Sequence, residues 1–444
     1  MTGFPIIKIG ELIKSGEAEI QTGPFGTQLK ASDYSDQGHP VINVRNVGFG
    51  DIRAESLEFI DDRIAEKLPT HRLMRSDIVF GRKGAVERHG FITERQEGWY
   101  QGSDCLRLRF KSCRINPQFI SYFFRTQAHQ DWMMAVCAFG ATMASLNQDI
   151  VKLIDIPVPD IKIQNRIVGL LSAYDDLIEN SKRRITLLEK MAEEIYREWF
   201  VRFRFPGWQG AEFEKGLPAS WAVVKGDDLF GVVKGKSYSS EEISNHQNGG
   251  RPFINLKNFN RGGGYRSNGL KYFRGEFRDD QRVNRGDVVM AVTDMTQNRE
   301  VIGRAARVPY LGESDGVISL DVVKISAFEW PGIFTYAHLR YSGISEALKE
   351  LANGANVLHL KPDLVGKQQY LVPDALVVEN FVGLIKPFYE QMEKLERQIE
   401  VLERTKAQLL PRLISGKVSV ENLDIQFPPS MQNDKTESPV EAVA

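Results

Sequence analysis

The chain has 444 residues, of which 42% are hydrophobic and 26% are charged, and its formal net charge at pH 7 is −1. This composition excludes a histone-like polycation and allows two to four domains with hydrophobic cores. The three cysteines form no CxxC pair, which argues against a disulfide framework and a zinc ribbon and favours a reducing cytoplasm. No apolar run approaches the roughly 18–20 residues that cross a bilayer, so we expect a cytoplasmic protein without a membrane partner.

The first region, residues 1–159, is predicted to be a β-rich mixed domain. Short apolar runs such as PVINVRNV from Pro40, DIVFG from Asp77 and CLRLRF from Cys105 have the length of strands. Gly, Asp and Pro separate these runs, as in turns between strands. An aromatic-rich helical stretch follows between residues 117 and 138. We therefore expect one folded domain before the chain enters a long helix.

A long amphipathic helix is predicted over residues 160–204. Apolar residues between Leu171 and Trp199 alternate steps of three and four, a heptad spacing that buries one stripe of a helix against a partner helix. The predicted seam residues are Leu171, Ile178, Ile185, Leu188 and Ile195. Two prolines and three glycines then predict a linker over residues 205–220.

The second half of the chain repeats the first. Pro252-Phe-Ile-Asn-Leu-Lys-Asn matches Pro40-Val-Ile-Asn-Val-Arg-Asn, 212 residues apart. Gly286-Asp-Val-Val likewise matches Ser76-Asp-Ile-Val, 210 residues apart. Because the offsets drift only slightly, they indicate a duplicated unit whose loops have diverged. A second domain is therefore predicted over residues 221–375.

A second heptad helix, over residues 376–416, repeats the register of the first with an offset of 214 residues. Its predicted seam residues are Ile385, Met392, Leu395, Ile399, Leu402 and Leu409. Since each seam finds a partner in the same chain, we expect an intramolecular pair rather than self-association. Lys406 in the seam and Pro411 depart from the pattern, and Pro411 should kink or end the helix unless it lies near the terminus. The polar tail, residues 417–444, is predicted to be partly disordered.

No motif for catalysis stands out in the sequence. It lacks a GxxxxGK[ST] phosphate loop, a GxGxxG turn, an HExxH pair, Cys/His metal spacing and the (N/D)PP(Y/F) tetrapeptide of amino-methyltransferases. The seven histidines are scattered, and a lone histidine is more often structural than catalytic. We therefore expect a binding protein that holds no catalytic residues, no metal and no cofactor.

Binding chemistry is concentrated between Lys234 and Arg285, where eleven basic residues stand against five acidic ones, a local excess of six positive charges. Basic side chains neutralise phosphates, and Asn and Arg bond base edges, although a solvated loop surface would look similar. A loop after the strand at Gly286 adds polar residues. The predicted DNA-binding residues of the second half are Lys234, Lys236, Asn255, Lys257, Asn258, Arg261, Arg266, Thr293, Asp294, Thr296, Gln297 and Arg299.

The first half offers related features at equivalent places. The Asn-x-(Arg/Lys)-Asn unit recurs there, and a Gly-rich turn at Thr22 lets the backbone approach a ligand closely. Phe25 in that turn either reaches a ligand or plugs the core. The predicted DNA-binding residues of the first half are Thr22, Gly23, Phe25, Lys30, Asn43, Arg45, Asn46, Arg82 and Lys83.

Taken together, these motifs resemble the specificity subunit of type I restriction–modification systems, over nearly the whole chain. The resemblance is carried by Gly23-Pro-Phe-Gly, Pro40-Val-Ile-Asn-Val, Gly286-Asp-Val-Val-Met, the Gly-Ala segments at Gly140 and Gly354, IPVPD with IQNRIVGLL, and LLPRLISGKV from Leu409. Each motif is weak alone, whereas their duplication, order and spacing are specific. The resemblance implies an α+β fold, in which two similar β-rich mixed target recognition domains are joined by two long antiparallel helices forming an intramolecular coiled coil.

The resemblance also implies a function without catalysis of its own. Each recognition domain would read one half of a bipartite double-stranded DNA site, and the helices would set the spacer. Two modification subunits would carry S-adenosylmethionine and methylate adenine, and two restriction subunits would use ATP and Mg to cleave. The alternatives are a self-contained DNA methyltransferase or nuclease with undetected motifs, and a coiled-coil scaffold that does not bind DNA.

Overall fold

The computed structural model describes residues 3–138, 144–312 and 315–425. Two units emerge from its internal contacts, and the division falls inside both long helices. The first unit comprises residues 1–180 and 399–444, and the second unit comprises residues 181–398. Within the described ranges, no helix is long and apolar enough to cross a membrane.

The first unit contains two four-stranded sheets and a two-stranded one. Its strands are β1 Ile6–Lys8, β2 Ala18–Thr22, β3 Tyr34–Ser35, β4 His39–Ile42, β5 Glu58–Ile60, β6 Ile78–Gly81, β7 His89–Phe91, β8 Tyr100–Gln101, β9 Cys105–Phe110 and β10 Asp155–Pro157. Its helices are α1 Ile9–Lys14, α2 Asp62–Lys67, α3 Pro117–Phe124, α4 Gln127–Ala138, α5 Gln148–Lys152 and the beginning of α6 Ile161–Tyr196. The sheet orders are β2-β9-β6-β7, β3-β5-β4-β8 and β1-β10.

The second unit follows the same plan with extra short strands. Its strands are β11 Phe213–Glu214, β12 Leu217–Pro218, β13 Ala222–Lys225, β14 Phe230–Lys234, β15 Ile243–Ser244, β16 Arg251–Ile254, β17 Lys271–Phe273, β18 Arg282–Val283, β19 Val288–Ala291, β20 Thr293–Asp294, β21 Ala305–Arg307, β22 Gly316–Ile318, β23 Val322–Ala327, β24 Leu358–His359 and β25 Gln369–Val372. Its helices are the end of α6, α7 Gly332–Tyr341, α8 Ile344–Glu350, α9 Asp363–Lys367 and most of α10 Ala375–Ile414. The β11–β12 hairpin lies within the predicted linker.

The sheets of the two units correspond strand by strand. The order β2-β9-β6-β7 becomes β14-β23-β19-β21, and β3-β5-β4-β8 becomes β15-β17-β16-β22 with β18 added at the edge. Both versions of the second sheet contain one parallel pair, which joins Val41 to Tyr100 in the first unit and Phe253 to Val317 in the second. The prediction of an α+β fold with two similar mixed domains is confirmed.

Each unit buries a core between its sheet and the long helices. In the first unit, all four residues of β6 are buried, which explains why Ile78-Val79-Phe80 is continuously apolar instead of alternating. The core of this unit also contains Leu171 of α6 and Leu413 of α10. In the second unit, Tyr196 of α6 and Phe381 of α10 belong to one core with the sheet. The heptad stripe therefore packs against its own unit as well as against the partner helix.

The two long helices run antiparallel. In the first unit, Leu171 shares a core with Leu410 and Leu413, while Asp175, one turn later, meets Lys406, an earlier residue of α10. Every predicted seam residue is shielded from solvent. Six are buried: Leu171, Ile178, Ile385, Met392, Leu395 and Ile399. Five are partly buried: Ile185, Leu188, Ile195, Leu402 and Leu409.

The two exceptions to the heptad pattern have different outcomes. Lys406 stays in the seam because its ammonium forms an ion pair with Asp175, although burial lowers the pKa of Lys406 against the effect of that carboxylate. Pro411 does not end α10, which continues to Ile414. The helix is followed by Gly416, whose φ of +74° suits a residue without a side chain. Two predicted segments lie outside the described residues, namely Gly140 to Met143 of the first Gly-Ala motif and residues 426–444 of the tail.

Candidate nucleic-acid interface

The second asparagine of each Asn-x-(Arg/Lys)-Asn unit holds a turn together. Asn46 accepts a hydrogen bond from the backbone N–H of Asn43 (3.1 Å) and donates to the carbonyls of Arg53 (3.0 Å) and Glu55 (3.1 Å). Asn258 accepts from the backbone N–H of Asn255 (3.0 Å) and donates to the carbonyl of Arg266 (3.2 Å). Both amides are fully buried, so neither reaches DNA in this conformation. They shape the recognition loops from within.

The first asparagine of each unit is also engaged inside its domain. Asn43 donates to Glu58 (2.6 Å), which in addition forms an ion pair with Arg45 (2.8 Å). Asn255, only 8% exposed, accepts from the backbone N–H of Lys257 (2.9 Å). The repeated motif that favoured DNA binding in the sequence is therefore a structural turn, and only its cationic member faces solvent.

In each unit, one tight turn forms backbone hydrogen bonds with several loops. In the first unit this turn is residues 102–105, and in the second it is residues 319–322. The backbone N–H···O=C bonds of the first unit are Gly102 to Ile42 (2.9 Å), Arg82 to Asp104 (2.9 Å), Gly23 to Cys105 (2.9 Å) and Leu146 to Arg82 (2.8 Å). Those of the second unit are Ser319 to Ile254 (2.9 Å), Val292 to Asp321 (2.9 Å), Gly235 to Val322 (3.1 Å) and Leu360 to Val292 (2.8 Å). These bonds bring together the loops after β2, β4 and β6, or after β14, β16 and β19, and we call each group a loop cluster.

Glycine is required where the loop after β2 or β14 touches this turn. A Cβ atom on Gly23 would lie 1.9 Å from the carbonyl oxygen of Gly102, and one on Gly235 would lie 2.0 Å from that of Ser319. Both distances are far below any possible contact. Gly23 therefore allows a close approach to the protein's own backbone, which corrects the expectation that it serves a close approach to a ligand.

Solvent-facing residues of the first loop cluster include an aromatic side chain. Phe25 is 67% exposed, so it does not plug the core. Lys30 is exposed as well. Lys83 is 3.3 Å from Asp104, whereas the Thr22 hydroxyl accepts a hydrogen bond from Gln148 (2.9 Å). Arg82 is half-buried. The first cluster thus presents one large apolar group and a few cations.

Part of the positive charge between Lys234 and Arg285 is neutralised in the folded chain, because carboxylates from other parts of the sequence pair with its cations. Asp315 pairs with both Arg251 and Arg282. Glu393 of α10 pairs with Arg285, and Glu300 lies 3.0 Å from Arg261. Lys234 is 3.9 Å from Asp363. In the described part of the segment, the cations without a carboxylate partner are Lys236, Lys257, Arg266, Lys271 and Arg274.

The loop after β19 is held rigid by the buried carboxylate of Asp294. Its Oδ1 accepts from the backbone N–H and hydroxyl of Thr296 (both 2.8 Å), and its Oδ2 accepts from the N–H of Val301 (2.7 Å) and Ile302 (3.3 Å). Burial alone would raise the pKa of Asp294, but these hydrogen bonds outweigh it and lower the pKa below its usual value. Asp294 is 2% exposed and therefore supports the loop rather than contacting DNA.

The remaining predicted residues of this loop are bound to their neighbours. The hydroxyl of Thr293, which is buried, donates to Asp321 (2.8 Å). Gln297 donates to the carbonyl of Ala355 (2.9 Å), and Arg299 pairs with Glu350 (2.7 Å). The second Gly-Ala segment, from Gly354, thus braces the loop from the other side.

A cavity of about 620 Å³ lies between the loops after β16 and β19. It brings together five predicted residues from separate parts of the sequence: Lys257, Arg261, Arg266, Asp294 and Thr296. It is also lined by Met295, which is not among the predicted DNA-binding residues. An apolar residue among polar ones directly after a buried strand was the signal that could have identified it.

An arginine ties a recognition loop of each unit to α6. In the first unit, Arg125 is 3.4 Å from Asp175, donates to the carbonyl of Gly50 (3.0 Å) and lies over the ring of Tyr122. In the second unit, Arg340 pairs with Glu189, lies over the ring of Tyr336 and packs against the glycines at 263 and 264. Both loops therefore have a fixed attachment to a long helix.

The structure thus contains two similar α+β units, each with a loop cluster and with parts of both long helices. A family model described as "Type I restriction modification DNA specificity domain" matches residues 7–190. The type I restriction enzyme MjaIX specificity subunit of Methanocaldococcus jannaschii is 26% identical over 322 residues, which are 70% of this chain and 71% of the relative. The putative type I restriction enzyme MjaX specificity subunit of the same organism is 22% identical over 406 residues, covering 88% and 90% of the two chains.

A solved structure supports the fold. The type I restriction–modification S subunit from M. genitalium superposes with a TM-score of 0.55 at 15% identity, over 92% of this chain and 96% of that one. The chain is thus similar to type I restriction–modification specificity subunits, by the family model over residues 7–190 and by relatives that align with 70% and 88% of its length.

Proposed function

We propose that each unit reads one half of a bipartite double-stranded DNA site through its loop cluster. The observation that carries this proposal is the duplicated backbone frame. The same four hydrogen bonds gather the same loops in both units, while the side chains at the loop tips differ. A constant frame with variable side chains is what two readers of two different half-sites require, because base edges are distinguished by the side chains that reach them.

The surface chemistry supports a polyanionic ligand. Lys257 and Arg266 in the second unit, and Lys30 in the first, are exposed cations without a carboxylate partner among the described residues. Such cations neutralise phosphates and make binding fall with increasing salt. Because the net charge of the chain is only −1, this attraction must come from local groups of cations.

In the proposed complex, the helix pair sets the spacer between the half-sites and binds the other subunits. Two modification subunits methylate adenine with their own S-adenosylmethionine, and two restriction subunits cleave DNA with their own ATP and Mg. This chain supplies sequence recognition and holds none of these groups. A self-contained methyltransferase or nuclease and a scaffold that does not bind DNA are not favoured by the similarity to specificity subunits.

The test is to map methylated adenines in DNA exposed to the complex of this chain with its modification subunit. We expect one split site, consisting of two half-sites with a fixed spacer. The double variant Lys257→Ala/Arg266→Ala should weaken binding at moderate salt and leave subunit assembly intact. The matched control is Lys215→Ala/Lys225→Ala, which removes two exposed cations outside the loop clusters and should change neither property.

Two results would contradict the proposal. Methyl transfer from labelled S-adenosylmethionine by the chain alone would show a self-contained methyltransferase. Absence of salt-dependent duplex binding by the assembled complex would show a scaffold with a different ligand.

A further inference from the structure

We propose that Met295 is a specificity-determining residue of the second unit, and that it makes an apolar contact with the 5-methyl group of a thymine in the half-site read by that unit. The inference rests on the proposed function, since it takes duplex DNA as the ligand of the loop cluster. It specifies one residue of the chain and the base that this residue contacts.

Met295 is held in solvent by a rigid loop. Its side chain is 76% exposed, the highest value among the large hydrophobic residues that the structure describes. Asp294, the preceding residue, fixes the loop through four hydrogen bonds from residues 296, 301 and 302. Arg299 closes the loop in a left-handed conformation with φ of +53° and pairs with Glu350. Because the backbone is fixed, the methionine cannot withdraw into the core by a small shift of the loop.

The surroundings of Met295 attract an anion. The cavity that it lines also contains Lys257, Arg261 and Arg266. Its three carboxylates are already engaged, since Asp294 accepts backbone hydrogen bonds, Glu300 pairs with Arg261, and Glu189 pairs with Arg340. Lys257 and Arg266 have no carboxylate partner in the described part of the chain. The occupant should therefore be an anionic molecule that also offers an apolar group.

Duplex DNA has one apolar group on its base edges that suits this position. The thymine methyl group projects into the major groove, beside the phosphates that Lys257 and Arg266 would neutralise. Methionine adapts to such a contact because its unbranched side chain has three rotatable bonds and a polarisable sulfur. Met295 is three positions after Val292, which is equivalent to Arg82 of the first unit. The residue three positions after Arg82 is Ala85, so this contact belongs to one half-site only.

The test uses the assembled complex with its modification subunit and duplexes in which each thymine of the target is replaced singly by deoxyuridine, which lacks only the methyl group. For the wild type, we expect the Kd to rise about fourfold at one thymine of one half-site, as for the loss of one buried methyl-sized contact. Met295→Ala should raise the Kd on the unmodified duplex by at least that factor and respond less than about twofold to the same deoxyuridine. Met295→Leu should retain most of the thymine preference. Met134→Ala, which removes an exposed methionine from α4 of the first unit, is the matched control and should behave like the wild type.

Several results would overturn the inference while leaving the proposed function intact. One is sequence-specific binding that responds to no deoxyuridine in the half-site of the second unit. A second is a Met295→Ala variant whose Kd rises at the critical deoxyuridine as much as that of the wild type. The loss of the methionine side chain and the loss of the thymine methyl group would then be independent of each other. A third is loss of subunit assembly in Met295→Ala, which would place the side chain against a protein. Loss of sequence preference by the wild type itself would instead contradict the proposed function.

Discussion

The loop clusters of the two units have the same backbone hydrogen bonds, but the exposed side chains of their loops differ. In the first unit, the exposed apolar group is Phe25, in the loop after β2, and Lys83 lies beside Asp104. In the second unit, the exposed apolar group is Met295, in the loop after β19, beside cations without a carboxylate partner. The same backbone frame therefore supports two different sets of exposed side chains.

The two units also differ in the residues of α6 to which their loops are attached. Tyr122 and Tyr336 are 214 residues apart, as the duplication requires, and each lies under an arginine. The carboxylates that meet these arginines, Asp175 and Glu189, are not related by this offset, since both belong to the same helix. The two halves thus reach one arrangement from different positions. The tyrosine and the arginine recur in both units, whereas the carboxylate comes from a different position of α6.

The largest effect is expected from lengthening the two long helices while leaving the loop clusters unchanged. A four-residue insertion after Ser181, matched by one after Leu395, adds about 6 Å to each long helix at about 1.5 Å per residue. We expect the same two half-sites with a spacer longer by one or two base pairs, and at least a tenfold loss of methylation at the original site. Mapping of methylated adenines measures both.

The control for this prediction is the same four residues inserted after Gly210, in the exposed segment before the β11–β12 hairpin. It should leave the spacer unchanged. An unaltered site after the paired helix insertions would show that the helices do not determine the spacing.

The second effect compares the two arginine attachments. Arg340→Met leaves Glu189 without its cation and should lower the free energy of unfolding around α7 by about 2–3 kcal/mol. This loss is smaller than that usual for a fully buried ion pair, because the Glu189 side chain is 34% exposed. Arg125→Met should lower it by only about 1 kcal/mol around α3, since Asp175 keeps Lys406. Native-state hydrogen exchange measures each helix separately. Equal losses in the two units would contradict the comparison.

A smaller effect is expected from single charges in the second loop cluster. Lys257→Ala should weaken DNA binding uniformly across sequences and reduce the slope of log Kd against log salt by about 1. Arg261→Ala should have a weaker effect, because Glu300 already neutralises Arg261 at 3.0 Å. Titrations of the assembled complex at several salt concentrations test this order. A larger effect of Arg261→Ala would show that the ion pair opens on DNA.

The smallest effect concerns an acid-sensitive contact of Glu17 in the first unit. Hydrogen bonds from Arg114, then Ser112 and Ser15, lower the pKa of Glu17 from 4.5 to about 2. A lowered pKa in the folded state stabilises the fold above pH 4.5, and this contribution is lost as the pH falls from about 4.5 to about 2. Glu17→Gln should therefore slightly flatten the acid unfolding curve of the first unit. The equivalent position in the second unit, Leu229, does not titrate, so no matching contribution is expected there.

Much of the fold was predictable because its signals are local or repetitive. The heptad spacing identified both long helices, and every seam residue named from it is shielded. The offsets near 212 identified two similar domains, which the matching sheet orders confirm. The loops after β2, β4 and β6 were also predicted from the sequence as candidate binding segments. Periodicity and duplication suffice for this, since they depend on residues close in the chain or on comparison of the chain with itself.

The amino-acid sequence by itself thus determined the duplication, the helix pair and the positions of the variable loops. Only the tertiary structure decided the role of each side chain in those loops. It buried Asn46 and Asn258 in turns, packed Gly23 against the carbonyl of Gly102, and brought Asp315 onto two arginines of the basic segment. It left Met295 exposed on a loop fixed by Asp294. The physical reason is that burial, close approach and charge neutralisation depend on residues that are distant in the chain and become neighbours only when it folds.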